Sequence, residues 1–446
     1  MNGLIILITA LVIYVPNRLH FPESLGITGF NVFNLLLLIT LVMMATHRHD
    51  PRRAVAIPRP PLVGALLLYY AVLGISLIQA IAGGSTHPWM DITIYKNIVT
   101  YSLLYFVAYY GVNDTRQMRF LIGVVVFVFL VASVEAIREG LDYGFSSYSN
   151  NHRAAGPFSF DGSNANYAGV FYGIFAPFVL AIAVMPSTFR PRLRFTALGC
   201  FLASTIAIFA TFSRQSFLIL GVTTLLITLR RNPLLGLAVI LIIANYALWA
   251  PQGVINRVEM TQERNDQGQV VLEDSAESRY VLWNGALDII HDHPMGIGFN
   301  QFQRVIDPYM PSWITARDAQ NEYLLITAEA GYQGLMALVL VLGGLFGIGF
   351  RLMAVKGNVE ARVLGLGFTV ACVSVVMGNI YSSTFHSGEV MGNFWVLAGL
   401  LARYRHLARE EAAETAAVTR AVPFERARAV YARWQSGPNR RQLRRT

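Results

Sequence analysis

The chain has 446 residues, of which 54% are hydrophobic and only 14% charged, with a formal net charge of +9; its mean hydropathy is +0.47. This excludes an ordinary soluble globular protein, in which about a quarter of the residues are charged. Apolar runs near the ~20 residues a helix needs to cross the hydrocarbon core recur along most of the chain. The expected fold is therefore an all-α polytopic membrane protein.

The opening stretch, "MNGLIILITALVIYVPN", has no cationic leader and no small-residue cleavage site. It reads as a retained first helix. From there the apolar runs predict about 12 transmembrane helices, starting near residues 3, 27, 62, 93, 119, 166, 195, 215, 233, 322, 361 and 391. Spans one to nine fill residues 1–250, with an outer loop near 138–166. A large outer loop follows over 251–321, partly helical to judge from "SRYVLWNGALDIIHDHP". Spans ten to twelve occupy 322–403, and 404–446 form a basic tail. Placing Met1 inside gathers most of the 35 Lys and Arg on the face of the tail, so both termini are expected in the cytoplasm. The same bias accounts for the net charge without a nucleic-acid partner. Cys200 and Cys372 lie in apolar runs and suggest neither a disulfide nor a metal framework.

One arginine interrupts the longest of these runs. Arg214 lies in "IFATFSRQSFLILG", within the apolar stretch from Phe195 to Leu229. A guanidinium at the centre of a bilayer costs roughly 2.5–3.5 kcal/mol on insertion scales. The cost falls if the stretch is a hairpin of two helices and "SRQS" is its turn at the outer boundary. Other arginines expected outside, such as Arg18 and Arg138, read as lipid-facing or ion-paired groups. Arg153, Arg214 and Arg279 differ because each sits in a motif-like setting.

Signatures of soluble enzymes are absent: the sequence has no P-loop, no HExxH and no strand-preceded GxGxxG. The "HDHP" pair, His291 and His293, lacks a third ligand nearby and reads as a solvated turn. No DxD motif is present to hold a nucleotide-sugar metal.

Four stretches in order, "HRAAGPFSFDGSNANYAG", "ATFSRQSFLILG", "ESRYVLWNGALDIIHDHPMGIGFNQF" and "DAQNEYLLITAEAGYQGL", resemble the O-antigen ligase and O-antigen polymerase superfamily. The resemblance runs from Arg153 to the last span; the first five spans match only in number. It implies a bacterial inner-membrane enzyme that takes glycan from an undecaprenyl-diphosphate-linked donor at the periplasmic face. The implied acceptor is a glycan or lipid A-core, the setting is membrane lipid, and a chain-length regulator is a further partner. No cofactor and no metal are implied.

By this resemblance, Arg153 precedes a glycine and an asparagine-containing helix start, here Gly156 and either Asn164 or Asn166. Arg214 is the Ser-Arg junction, and Arg279 the arginine before a Trp-containing helix. Arg153, Arg214 and Arg279 are the expected diphosphate ligands. Gly296, Gly298 and Phe302 match a turn that is either structural or part of a binding site. Ligases of this family typically have His-Asn where this chain has Gln320-Asn321. Arg279, Gln320 and Asn321 are thus the expected catalytic residues, but an amide cannot take the acceptor's proton. Asp318, Glu322 and His386 are the candidate bases, while Glu329 reads as tying down a helix end.

Guanidinium groups suit this chemistry because they give phosphate bidentate, charge-assisted hydrogen bonds and can be preorganised where leaving-group charge develops. The expected activity is repeat-unit polymerisation, with O-antigen ligation or protein O-oligosaccharyl transfer as alternatives. A polysaccharide or lipid transporter is the reading from another class. Transporters place ionisable groups near the midplane, whereas here, Glu135 aside, the polar residues gather outside.

Overall fold

The computed structural model describes residues 2–14, 31–47, 57–145, 148–149, 152–158, 165–186, 189–260, 262–264, 270–272, 274–311 and 318–411. Arg18, Asn164 and the tail beyond 411 lie outside these residues. The expected spans appear as α1 (Asn2–Leu11), α2 (Val32–His47), α3 (Val63–Ala82), α4 (Pro88–Gly111), α5 (Thr115–Tyr143), α6 (Ala165–Val184), α7 (Pro191–Ala210), α8 (Arg214–Arg231) and α9 (Pro233–Ala244). The segment after α9 carries α10 (Gln252–Glu259), strands β1 (Gln262–Arg264) and β2 (Val270–Leu272), α11 (Asp274–Asp292) and the single turn α12 (Phe302–Val305). The last spans are α13 (Glu322–Met353), α14 (Val359–Gly378) and α15 (388–411).

The protein is an all-α polytopic membrane protein. Among the described residues, six helices are long and apolar enough to cross a membrane, namely α3, α5, α6, α7, α13 and α14. Two observations qualify the sequence reading. The ninth expected span is a helix of 12 residues, about 18 Å at 1.5 Å per residue, short of a ~30 Å hydrocarbon core. The large loop also contains an antiparallel strand pair, Gln262 opposite Leu272 and Arg264 opposite Val270, where only helix was expected.

At the centre stands α6, buried along almost its whole length. Its glycines explain why. A Cβ on Gly169 would lie 2.2 Å from the Ser216 hydroxyl, and one on Gly173 would lie 2.9 Å from Ile219, both on α8. On α14, a Cβ on Gly378 would come within 2.7 Å of Val170. Small residues let membrane helices approach where lipid tails leave no hydrophobic drive between them. Outward-facing Phe120, Phe127 and Leu202 are exposed, as expected of surfaces that meet lipid.

Hydrogen bonds gather alternate connections at two ends of the bundle. At one end Arg119 donates two bonds to Glu360, 2.8 and 3.0 Å, and Arg194 and Arg231 donate to the Ala183 and Val184 carbonyls that finish α6. Cations there complement the negative helix terminus. At the other end the Ala154 N–H donates to the Ala210 carbonyl, Gly253 to Phe145, and Glu322 to Asn379. This second end carries the candidate site.

A kink in α13 fixes the large loop. Gly331 has φ 69° and ψ −174° inside the helix, a conformation that glycine alone adopts without strain. The kink frees carbonyls that would otherwise bond along the helix. Ala328 accepts the Ile297 N–H and Glu329 the Gly298 N–H, both at 2.9 Å, and the Ser76 hydroxyl donates to Glu329 as well. The Glu329 carboxylate accepts the Phe302 N–H at the start of α12. Across the turn, the buried Asp91 accepts from Asn300, Gln301 and Ser85, with Arg304 3.5 Å away. Gly296, Gly298 and the buried Phe302 thus form a structural turn, and Arg304 is committed to it. A Cβ at residue 331 would lie 2.6 Å from the Met295 carbonyl carbon. Gly331→Ala should therefore destabilise the fold by about 1–3 kcal/mol, read as a lowered unfolding temperature in detergent; an unchanged temperature would show that the kink does not anchor the loop.

Candidate functional site

The site begins at the sharp turn between α7 and α8. Phe212 occupies the left-handed region, φ 48°, which costs a bulky residue energy. Burial of its ring and an edge contact with Tyr148, centroids 5.7 Å apart, hold it there. The consequence is that α8 starts with Arg214, half-buried at its first position. The arginine therefore sits at a helix junction, as the sequence suggested.

Arg153 is placed by its own bonds. Its Nε donates to the Thr211 carbonyl at 2.9 Å and its Nη2 to Asn166 Oδ1 at 2.6 Å. Asn166 is one of the two asparagines open in the sequence reading; Asn164 lies outside the described residues. The segment is anchored below by Glu139, whose carboxylate accepts the Ala155 and Gly156 N–H groups at 2.9 and 2.6 Å. Gly156 has a positive φ of 59°, a conformation suited to glycine.

A third arginine was not singled out from the sequence. Gly253 lets α10 approach the α7–α8 turn so closely that an added Cβ would lie 2.7 Å from the Phe145 carbonyl and 2.9 Å from the Phe212 ring. Arg257 is four residues on, on the same helical face, and is buried. Its guanidinium carbon lies 4.1 Å from the Tyr148 ring centroid, a cation–π contact. The sequence signal was faint: one glycine and one arginine, four apart, in "PQGVINRVEM".

Arg279 comes from the opposite side, on α11. Its Nε donates to Gln320 Oε1 at 2.9 Å. Gln320 also has a left-handed backbone, φ 45°, and its N–H donates to Asp318 Oδ1 at 3.3 Å. The Asn321 side-chain oxygen accepts the Tyr323 and Leu324 N–H groups, capping α13. The structure thus brings Arg279 and Gln320 into contact and uses Asn321 to start the helix.

Arg153 feels the charges of the other three arginines. Burial, followed by the positive charges of Arg257, Arg279 and Arg214, lowers Arg153 to about 10 against the opposing influence of Tyr148. It still carries its proton at neutral pH. Arg153 thus lies within electrostatic reach of three other guanidinium groups, a set of donors whose chemistry suits an anion with at least two negative charges.

Below this cluster lie the other two candidate bases. Glu322 is fully buried, and its Oε1 is 3.2 Å from His386 Nδ1. The other ring nitrogen, Nε2, is 2.5 Å from the Tyr69 hydroxyl. Burial pushes the His386 imidazole down to about 4, so at neutral pH the ring is uncharged. Its Nε2 is engaged by Tyr69. Asp318 is the partly exposed member of the three. Tyr69 carries no sequence signal of its own, being one apolar-run tyrosine among several. His291, by contrast, is exposed and pairs with Asp292, away from the cluster.

This end of the bundle thus carries an arginine-rich candidate site in a polytopic membrane protein. Residues 198–339 match the O-antigen ligase family model. The match supports the resemblance to the O-antigen ligase and polymerase superfamily and implies glycosyltransferase-type ligase or polymerase activity in the membrane. It spans α7 to the middle of α13 and includes Arg214, Arg257, Arg279 and Gln320, whereas Arg153 and His386 lie outside it. No curated protein matches the chain significantly.

If the four arginines share one anion, inorganic pyrophosphate should raise the unfolding temperature of the purified protein, since a ligand that binds only the folded state stabilises it. Arg257→Gln should weaken that response by about tenfold in concentration, at the low end of ~1.5–3 kcal/mol for a hydrogen bond to a charged group. An identical pyrophosphate titration in wild type and Arg257→Gln would remove this residue from the site.

Proposed function

We propose that the protein is a metal-independent glycosyltransferase of the bacterial inner membrane that moves glycan from a polyprenyl-diphosphate carrier at the periplasmic face. The observation that carries this reading is the convergence of Arg153, Arg214, Arg257 and Arg279 at the end of an apolar bundle. A lipid-linked diphosphate would lie at that height, its tail among the helices and its phosphates among the guanidinium groups. Both termini are then cytoplasmic.

In the reaction an acceptor hydroxyl oxygen bonds to the anomeric carbon. The bond from that carbon to the diphosphate breaks, and its electron pair leaves with the diphosphate. Negative charge thus grows where the arginines already point, so they stabilise the transition state without reorganising. Gln320, held by Arg279, orients the acceptor hydroxyl through its amide. The proton goes to Asp318, the partly exposed member of the three, because Glu322 is fully buried and His386 Nε2 meets the Tyr69 hydroxyl. Asn321 serves the reaction by fixing the backbone beside Gln320.

Polymerisation of repeat units is the preferred activity, since the position that carries histidine in typical ligases is Gln320 here. O-antigen ligation is the second reading, favoured by the description of the matching family. Reconstitution with a polyprenyl-diphosphate-linked oligosaccharide separates them. A ladder of lengthened lipid-linked products supports polymerase, a single transfer to a separate acceptor supports ligase, and no transfer defeats both. Gln320→Ala should slow turnover by about one to two orders of magnitude, ~1.4–2.8 kcal/mol, and Asp318→Asn by at least as much. Full activity in either variant would assign its role elsewhere.

Orientation is tested separately. A cysteine in place of Tyr280, exposed on α11, should react in intact spheroplasts with a membrane-impermeant maleimide. One in place of Lys356, exposed at the opposite end, should react only after permeabilisation. The reverse pattern would put the arginines on the cytoplasmic side.

A further inference from the structure

Beside the arginine cluster two aromatic rings meet that the mechanism above leaves unused. Trp283 lies four residues after Arg279, on the same face of α11. Its indole N–H donates to the Ala319 carbonyl at 3.0 Å, immediately before Gln320. Its ring is 5.8 Å from that of Tyr381, tilted by 34°. Tyr381 belongs to the connection between α14 and α15 and remains 38% exposed.

That connection is itself pinned to the site from two directions. The Asn379 carbonyl accepts the Glu322 N–H at 2.9 Å, and Asn379 Oδ1 accepts the Thr384 and Phe385 N–H groups. Gln215, next to Arg214, donates to the Ser382 hydroxyl at 3.3 Å. The pair of rings therefore lies between the Arg279–Gln320 contact and the start of α8. Packing alone does not require a phenol at the exposed end of this pair, because Trp283 already ties α11 to Ala319.

We propose that Trp283 and Tyr381 form the acceptor-sugar subsite, a platform on which the apolar C–H face of a pyranose ring stacks while its hydroxyl is presented to Gln320. Aromatic side chains with one apolar face and one wet edge suit a ligand that is apolar across the ring and polar around it. The fixed indole keeps the platform in register with Gln320, since one hydrogen bond joins Trp283 to the residue preceding it. The inference rests on the glycosyltransferase reading and specifies which ligand binds at this edge of the site: a neutral sugar ring, distinct from the diphosphate.

The test uses the full-length protein in detergent and, as probe, the free oligosaccharide released by mild acid from the host's lipid-linked repeat unit. This probe carries neither lipid nor diphosphate. Wild-type tryptophan fluorescence should change on titration, and Trp283→Phe should remove most of that change. Tyr381→Ala should weaken the oligosaccharide by about three- to tenfold, the range expected for loss of one aromatic contact, whereas Tyr381→Phe should bind as wild type. The pyrophosphate-induced rise in unfolding temperature should persist in both Tyr381 variants. In reconstituted transfer, Tyr381→Ala should raise KM for the acceptor with little change in kcat.

Unchanged oligosaccharide affinity in Tyr381→Ala would overturn the subsite. So would a parallel loss of the pyrophosphate response, because that pattern belongs to a residue that merely supports the fold. The binding arm does not depend on catalysis. A protein that binds the oligosaccharide through Tyr381 but transfers nothing would defeat the glycosyltransferase reading and leave the sugar platform standing.

Discussion

Like charges repel, and Arg153 lies within electrostatic reach of Arg214, Arg257 and Arg279. That repulsion is a cost that an anionic ligand would offset. The rest of this end of the molecule supplies what holds them. Each arginine arrives on a different element: the segment before α6, the first residue of α8, the short helix α10 and the long helix α11. No local sequence pattern could bring them together, so the arrangement depends on how the connections are docked to the bundle.

The docking uses carboxylates and glycines. Glu139 takes two backbone N–H groups under the Arg153 segment. Asp91 collects side chains from the "FNQF" turn, and Glu329 caps the short helix that follows. Each of these three carboxylates is thereby satisfied by fixed donors, which is what makes removing such a group from water tolerable. Glycines allow the approaches on which this depends, at Gly253 beneath Arg257 and at Gly331 where α13 kinks.

Strain is concentrated at the same end. Among the described residues, the positive-φ positions other than glycine are Phe212, Asn300 and Gln320. One starts the helix of Arg214, one contacts Asp91, and one meets Arg279. Such conformations persist where the surroundings over-determine them, and they gather where a side chain must be aimed. At Gln320 the aimed group is an amide that cannot titrate. In the proposed reaction the proton therefore goes to a neighbour, and among the candidates Asp318 is the partly exposed one.

The sequence by itself determined the membrane class and the succession of helices, because burial in lipid demands long apolar runs and those are written linearly. It also placed Arg214 at a helix junction, since a guanidinium in mid-bilayer is costly. The pairing of Arg279 with Gln320, the bond from Arg153 to Asn166, and the position of Arg257 against Tyr148 were decided only by the tertiary structure. So were the shortness of α9 and the strand pair in the large loop. These features depend on contacts between residues tens to hundreds of positions apart. Periodicity reports which face of one helix is apolar, but it carries no record of which distant side chain that helix will meet.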